Sequence, residues 1–172
     1  MTDNKNILDQ FKTNKGFTIY EMSFVKPIMV VFIRHTGCLF CKETLSDINK
    51  NWKKILKNGT EIVIVHHSDS ISFQNLIEKY NISKIPYIVD KDRILYKALN
   101  LKEVTFKNMI NLKTIVGSFR AILNGNFQTK STGNEKQLGG VFLIFKGEFV
   151  KKFIYNTPSD NVNYSEYSVC NI

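Results

Sequence analysis

Two cysteines three residues apart, Cys38 and Cys41, are the residues of this chain best suited to chemistry. They stand in the stretch PIMVVFIRHTGCLFCKE, Pro27 to Glu43. The run Ile28 to Ile33 is apolar, rich in β-branched and aromatic residues, and bounded by Pro27 and Gly37, which predicts a buried strand. Beyond the cysteines, Glu43, Leu45, Ile48, Trp52, Ile55 and Leu56 recur at near-helical spacing. Cys38 is thereby expected in the first turn of a helix, where unpaired N–H groups and the helix dipole favour a thiolate. Cys-x-x-Cys pairs at such junctions carry lowered thiol pKa values. The i, i+3 spacing brings both sulfurs to one face. Cys38, nearer the helix end and expected to be the more exposed, is read as the attacking thiolate, with Cys41 as the resolving thiol.

Plainer readings compete with this one. Cys-x-x-Cys is also half of a zinc site, completed by His35, His66, His67 or Cys170, but no second Cys-x-x-Cys and no His-x-x-x-His is present. Free cysteines also serve as small core residues. Lys42, not His, follows Cys41, which excludes covalent haem attachment. No cofactor motif appears.

The neighbours of the pair suggest roles. Arg34 and His35 would lower the Cys38 pKa by charge, and His35 would also move a proton. Thr36 would help cap the helix. Gly37 and Gly140 would let backbone approach the sulfur or a substrate. His66 and His67 end a second strand, where core or edge packing is the ordinary use. Cys170 reads as a structural thiol.

The elements that must position these residues follow in order. Residues 3–13 predict a short helix with Ile7, Leu8 and Phe11 inward, and Phe17 to Met22 a short strand. The central strand, the cysteine turn and a helix to about Lys57 come next, stopped by Asn58-Gly59. Glu61 to His67 is a buried strand. Ser68-Asp69-Ser70 caps a helix over Ile71 to Tyr80. Residues 85–89 form a third strand, Asp90 to Arg93 a turn, and Tyr96 to Asn100 a helical turn. This β-α-β-α-β order argues a mostly parallel α/β sheet. Phe106 to Leu123 predicts an amphipathic helix weakened at Gly117, and 124–138 a loop that could lie over a site. Val141 to Phe145 and Phe149 to Tyr155 predict a hairpin around Lys146-Gly147-Glu148. The last residues predict a short helix carrying Cys170.

At 172 residues the chain is expected to be one domain, residues 1–172, with an N-terminal extension over 1–16. No apolar leader or membrane-length stretch is read in it, which makes the reducing cytoplasm the expected location. The net charge of +9 invites a nucleic-acid reading. The charge is mostly scattered lysine, and Arg34, Arg93 and Arg120 are the only arginines. A solvated surface with no specific nucleic-acid partner is the expectation.

Ile33-Arg34-His35-Thr36-Gly37-Cys38-Leu39-Phe40-Cys41-Lys42-Glu43 resembles the signature of the peroxiredoxin-like AhpC/TSA antioxidant family, a group that includes prostamide/prostaglandin F synthase and selenoprotein L relatives. Three further segments resemble it: Lys79-Tyr80 through Ile85-Pro86 into Asp90–Leu99, Gln137-Leu138-Gly139-Gly140-Val141-Phe142, and Phe153 to Tyr155 followed by Asp160. The resemblance implies a thioredoxin-like, peroxiredoxin-like α/β fold, with a central mixed sheet flanked by helices and a C-terminal β-hairpin. It puts Cys38 at the peroxidatic position and Cys41 at the second thioredoxin cysteine. The chain departs from true peroxiredoxins. His35 stands where their Thr-x-x-Cys has threonine, and Gly139-Gly140 where thioredoxins have a cis-proline and peroxiredoxins often an arginine.

The expected activity is therefore thiol–disulfide oxidoreduction. Cys38 would attack a peroxide, endoperoxide or disulfide, Cys41 would resolve, and thioredoxin or glutathione would act as reductant. The rival from another class is a non-catalytic redox sensor whose disulfide alters a partner-binding surface, read by the 124–138 loop.

Overall fold

The structure, a computed structural model, describes residues 2–104, 112–126 and 134–171. Its elements run α1 (Thr2–Leu8), α2 (Ile19–Val25), β1 (Ile28–Phe32), α3 (Leu39–Lys57), β2 (Glu61–His66), α4 (Ser70–Lys79), β3 (Tyr87–Val89), α5 (Ile94–Ala98), α6 (Leu112–Leu123), β4 (Gly140–Phe145), β5 (Glu148–Ile154) and α7 (Tyr164–Tyr167).

The five strands form one mixed sheet in the order β3-β2-β1-β4-β5. β1, β2 and β3 are parallel, while β4 is antiparallel to β1 and to β5. β1 is central and covered on both faces, which is why its sequence is continuously apolar instead of alternating. Met29, Val31 and Ile33 face Leu45, Ile48 and Ile55 of α3 and Phe73 and Ile77 of α4. Ile28, Val30 and Phe32 face the opposite core of Leu8, Ile19, Leu95 and Tyr96. The cysteine pair belongs to the first of these clusters.

β4 and β5 make the expected hairpin. Lys146 and Gly147 both have positive φ, 51° and 76°, the turn geometry whose twist matches paired strands. β3 begins at Tyr87, two residues later than the spacing predicts. Pro86 has no N–H to give the ladder, although its carbonyl accepts from Ile64 N–H at 3.0 Å. The helical turn expected over Tyr96–Asn100 starts earlier because Asp90 accepts the Ile94 and Leu95 N–H groups, each at 2.8 Å. α7 ends at Tyr167, so Cys170 lies beyond it and not in it.

Residues 17–22 are not a strand. Thr18 caps α2, accepting from Glu21 N–H at 3.1 Å, while the Glu21 carboxylate accepts from Thr18 N–H at 2.9 Å. This reciprocal capping box overrides the loose alternation of the segment. It leaves Phe17 outside the core at 59% exposure. Thr18 also donates its hydroxyl to Asp9 at 2.7 Å, tying α2 to the residues after α1.

The helix expected over 106–123 lies partly outside the described residues, Met109 and Ile110 included. Within α6, Gly117 is a point of close approach: a side chain there would collide with Ser159 and press on Phe40. Arg120 grips the buried Glu43 carboxylate of α3 with two hydrogen bonds, 2.7 and 2.9 Å. Ile115, Val116, Ile122 and Leu123 are exposed, contrary to an inward-facing stripe.

The capping box makes a testable difference. Thr18→Val, favourable in a strand, will cost at least about 1 kcal/mol in urea unfolding, the ordinary value of a lost cap, with the Asp9 bond lost as well, and Thr18→Ser will restore most of it. Equal stability of the Val variant and wild type would contradict a capped helix.

Candidate active site

The site forms where β1 ends. The chain leaves the sheet at Ile33, turns through Arg34–Gly37 and enters α3. Cys38 is the N-cap residue of α3 (φ −68°, ψ 125°), with no side-chain cap bond. The N-cap position thus falls to Cys38, two residues after Thr36, whose N–H donates to Ser68 Oγ at 3.2 Å, fastening the turn to the end of β2. Gly37 is buried inside the same turn. Tyr96, fully buried from α5, donates to the carbonyls of Ile33 (2.6 Å) and Val65 (3.0 Å), pinning both strand ends under the turn.

Arg34 meets both sulfurs. Its backbone N–H donates to Cys41 Sγ at 3.1 Å, and its Nη1 donates to Cys38 Sγ at 3.3 Å. The rest of the guanidinium is held across the chain: Nε donates to the Gln137 carbonyl at 3.0 Å and Nη2 to the Glu135 carbonyl at 2.6 Å. Arg34 is buried, so this cation acts in a low-dielectric setting where its field is strong.

The two thiols are driven apart. Burial pushes Cys38 up, but the hydrogen bond from Cys41, the Arg34 charge and the N–H groups of Cys41 and Phe40 outweigh it, and the thiol falls below its ordinary value. Cys41 is pushed well up by burial and by its hydrogen bond and charge interaction with Cys38. A thiolate at Cys38 beside a protonated Cys41 is the arrangement the site favours.

Several expectations need correcting. Cys38 is not the more exposed thiol; both sulfurs are sealed, at 1% and 4% exposure. His35 supplies no positive charge. Burial, then Arg34, His67 and Lys42, hold its pKa down to about 4, so it is neutral near pH 7. Its carbonyl accepts the Cys38 N–H at 3.1 Å. Gly140 does not face the sulfurs: a side chain there would meet Leu101 and Phe142 in the opposite core. The tight approach belongs to Gly139, where a Cβ would strike the Phe32 carbonyl and the Tyr155 ring. Overpacking against backbone cannot relax cheaply, which explains glycine at this crossing.

His66 and His67 flank the site. His66 is fully buried, stacked 3.6 Å from the Phe73 ring, with neither ring nitrogen hydrogen-bonded within the described residues. His67 Nδ1 accepts from Asn134 N–H at 3.3 Å. Burial is the main force lowering both, to about 3 and about 4. Among the described residues, no three His, Cys, Asp or Glu side chains are grouped to hold a metal ion, and no helix is long and apolar enough to cross a membrane. A small cleft, with room for about one water, opens beside Cys41 between Arg34, Phe40, Thr44, Tyr155 and Asp160.

Sequence reasoning missed residues 134–138 as the seat of Arg34. The loop prediction over 124–138 pointed to the region, of which 127–133 lie outside the described residues. No local pattern pairs Arg34 with a carbonyl 103 residues away.

A central mixed sheet with a dithiol at the mouth of α3 defines a protein of the thioredoxin-like, peroxiredoxin-like class. The chain belongs to the AhpC/TSA antioxidant enzyme family, which matches residues 47–157. That match begins after the cysteine pair, so the body of the fold carries it. The chain is similar to the prostamide/prostaglandin F synthase of Salmo salar, with 23% identity over 152 residues, 83% of this chain and 73% of the relative. It superposes on a mutant of peroxiredoxin 6 of Arenicola marina with TM-score 0.63 and 12% identity, covering 92% of this chain and 66% of that one. Peroxiredoxin Q of Xanthomonas campestris gives TM-score 0.57 and 18% identity over 83% and 78% of the two chains. The thioredoxin domain of a thiol-disulfide oxidoreductase from Bacteroides vulgatus gives 0.55 and 14%, over 91% and 88%.

The three buried histidines set an acid limit. Each would take a proton below about pH 6.5 when unfolded, but in the fold only near pH 3 to 4. The unfolded chain therefore binds more protons across that window, so stability is full above it and drains as pH falls. The urea midpoint will drop between pH 7.5 and 4.5. His66→Phe, which keeps the stack on Phe73, will make that drop shallower; an unchanged slope would show that His66 is not one of the titrating groups.

Proposed function

We propose that this chain is a thiol–disulfide oxidoreductase in which Cys38 attacks a peroxide, endoperoxide or disulfide and Cys41 resolves the product. The observation that carries this reading is Arg34, which donates through its side chain to one sulfur and through its backbone to the other. A guanidinium on Cys38 stabilises the thiolate, which is the nucleophile.

With a peroxide, the Cys38 thiolate attacks one oxygen, the O–O bond breaks, and the alcohol or water leaves with a proton. Cys38 becomes a sulfenic acid. The Cys41 sulfur then attacks the Cys38 sulfur, expelling water and closing Cys38–Cys41. With a disulfide substrate, the same attack gives a mixed disulfide that Cys41 resolves by releasing a thiol. Either cycle leaves the protein oxidised by two electrons, returned by an external dithiol such as thioredoxin, or by two glutathiones. We place this in the cytoplasm, where such reductants are plentiful.

The opposed thiols suit this order. Cys38 is poised to attack, and Cys41 keeps its proton until the sulfur beside it turns electrophilic. Endoperoxide is kept among the substrates because of the likeness to the Salmo salar synthase. The family membership supports thiol chemistry in general.

A redox sensor is the second reading, favoured by the burial of both sulfurs, which would slow repeated turnover. Steady turnover with peroxide, a thioredoxin system and NADPH separates the two. Cys38→Ser will abolish turnover and disulfide formation. Cys41→Ser will still consume one equivalent of peroxide and gain one oxygen, read by rapid-quench mass spectrometry, but will stall. If Cys41→Ser alone lost the first oxidation, the assigned roles would be reversed.

A further inference from the structure

We propose that Gln137 is a positioning residue for the attacking thiolate, its buried amide locking the backbone carbonyls that aim Arg34 at Cys38. This rests on the reading of Cys38 as the attacking thiol.

An arginine side chain is long and loses much rotamer freedom when fixed. Arg34 is fixed by two carbonyls, those of Glu135 and Gln137, and only then does Nη1 fall on the sulfur. These carbonyls lie two residues apart in an irregular segment, not in a helix or a named strand. Their placement must come from tertiary contacts. Some are backbone bonds to residues 102–104: Leu138 N–H to the Lys102 carbonyl at 2.9 Å, and Val104 N–H to the Lys136 carbonyl at 2.6 Å.

The Gln137 side chain completes the clamp. It is 2% exposed. Its Nε2 donates to the carbonyls of Lys102 (3.1 Å) and Leu138 (3.0 Å), and its Oε1 accepts from Arg93 Nη1 at 3.2 Å. The same Arg93 nitrogen pairs with Glu103 at 2.6 Å. One side chain thus joins the 102–104 segment, the 134–138 segment and the αL residue that opens α5. A buried amide with both ends satisfied resists displacement, because any shift strands polar atoms away from water. Gln137 carries the Arg34-binding carbonyl and the locking amide on the same residue. At 3.3 Å the Nη1 contact with Cys38 Sγ is a direct charge-assisted bond, and it depends on aim, so a loosened seat would weaken it.

The test reads the acid limb of Cys38 alkylation. Iodoacetamide rates for the Cys38 peptide are followed by mass spectrometry from pH 4 to 10 in wild type, Gln137→Met, Arg93→Met, Arg34→Met and the double variant Arg34→Met/Gln137→Met. Gln137→Met keeps volume while removing three hydrogen bonds. It is expected to raise the Cys38 pKa by about one unit, so that alkylation on the acid limb slows about tenfold, while the plateau rate at high pH changes less than twofold. Arg93→Met, which removes the outer bond to Gln137 together with the Glu103 pair but leaves both Nε2 bonds, will shift the limb in the same direction by less, and carries the test should Gln137→Met fail to fold. In the Arg34→Met background, Gln137→Met will add no further shift, since the effect passes through Arg34. A Gln137→Met variant that melts lower but keeps the wild-type limb would overturn the proposal, as would full additivity with Arg34→Met. A wild-type limb at the ordinary thiol pKa would instead overturn the assignment of Cys38 as the activated thiol.

Discussion

Everything at the mouth of α3 depends on keeping a guanidinium against a sulfur inside the protein. A buried cation is costly unless its donors are satisfied and its charge is matched. Each of the three Arg34 guanidinium nitrogens has a partner, two of them carbonyls and the third the Cys38 sulfur, whose ionised form would match the charge. Together with the hydrogen bond from Cys41, this charge explains why a thiol that burial alone would push up is instead held down. The cation also ties residues distant in sequence into one unit, because the carbonyls it needs stand on a segment that returns to the sheet just before β4.

The scaffold beneath the site is a set of fixed ends. β1 stops at the centre of the sheet, where neighbours on both sides leave it little freedom. Tyr96 holds the carbonyls of Ile33 and Val65 together. Ser68 holds the Arg34–Gly37 turn. Gly139 lets the chain pass against Phe32 with no Cβ between. The fold thus puts a thiol, a cation and a helix end within hydrogen-bond reach of one another, with the turn and the returning 134–138 segment both tied down. The arginine comes from the strand end, at Arg34, whereas the Gly139-Gly140 crossing contributes close packing.

Much of this was legible in the order of residues. The apolar run before the cysteines, the near-helical recurrence after them and the Asn58-Gly59 stop each follow local rules, and α3 ends at Lys57 as read. The hairpin at Lys146-Gly147 is legible for the same reason. Over residues 17–22 the loose alternation points to a strand, whereas Thr18 and Glu21, at capping-box spacing, decide for a helix. Position on a helix says nothing of what lies across from it, which is why the buried state of Cys38 is not legible in the sequence. A charge on His35 follows from its place beside the cysteine pair, but the folded turn buries the ring and holds it neutral.

The sequence by itself determined that a dithiol stands between a buried strand and a helix, since that needs only side-chain type, periodicity and turn chemistry within some thirty residues. Tertiary structure alone decided which groups govern that dithiol. Arg34 became the governing cation because carbonyls a hundred residues on come to lie beside it. His35 became neutral, and both sulfurs became sealed, because burial is set by elements from across the whole chain. Local propensity is written in neighbouring residues, but desolvation and the direction of a buried charge are properties of the packed interior.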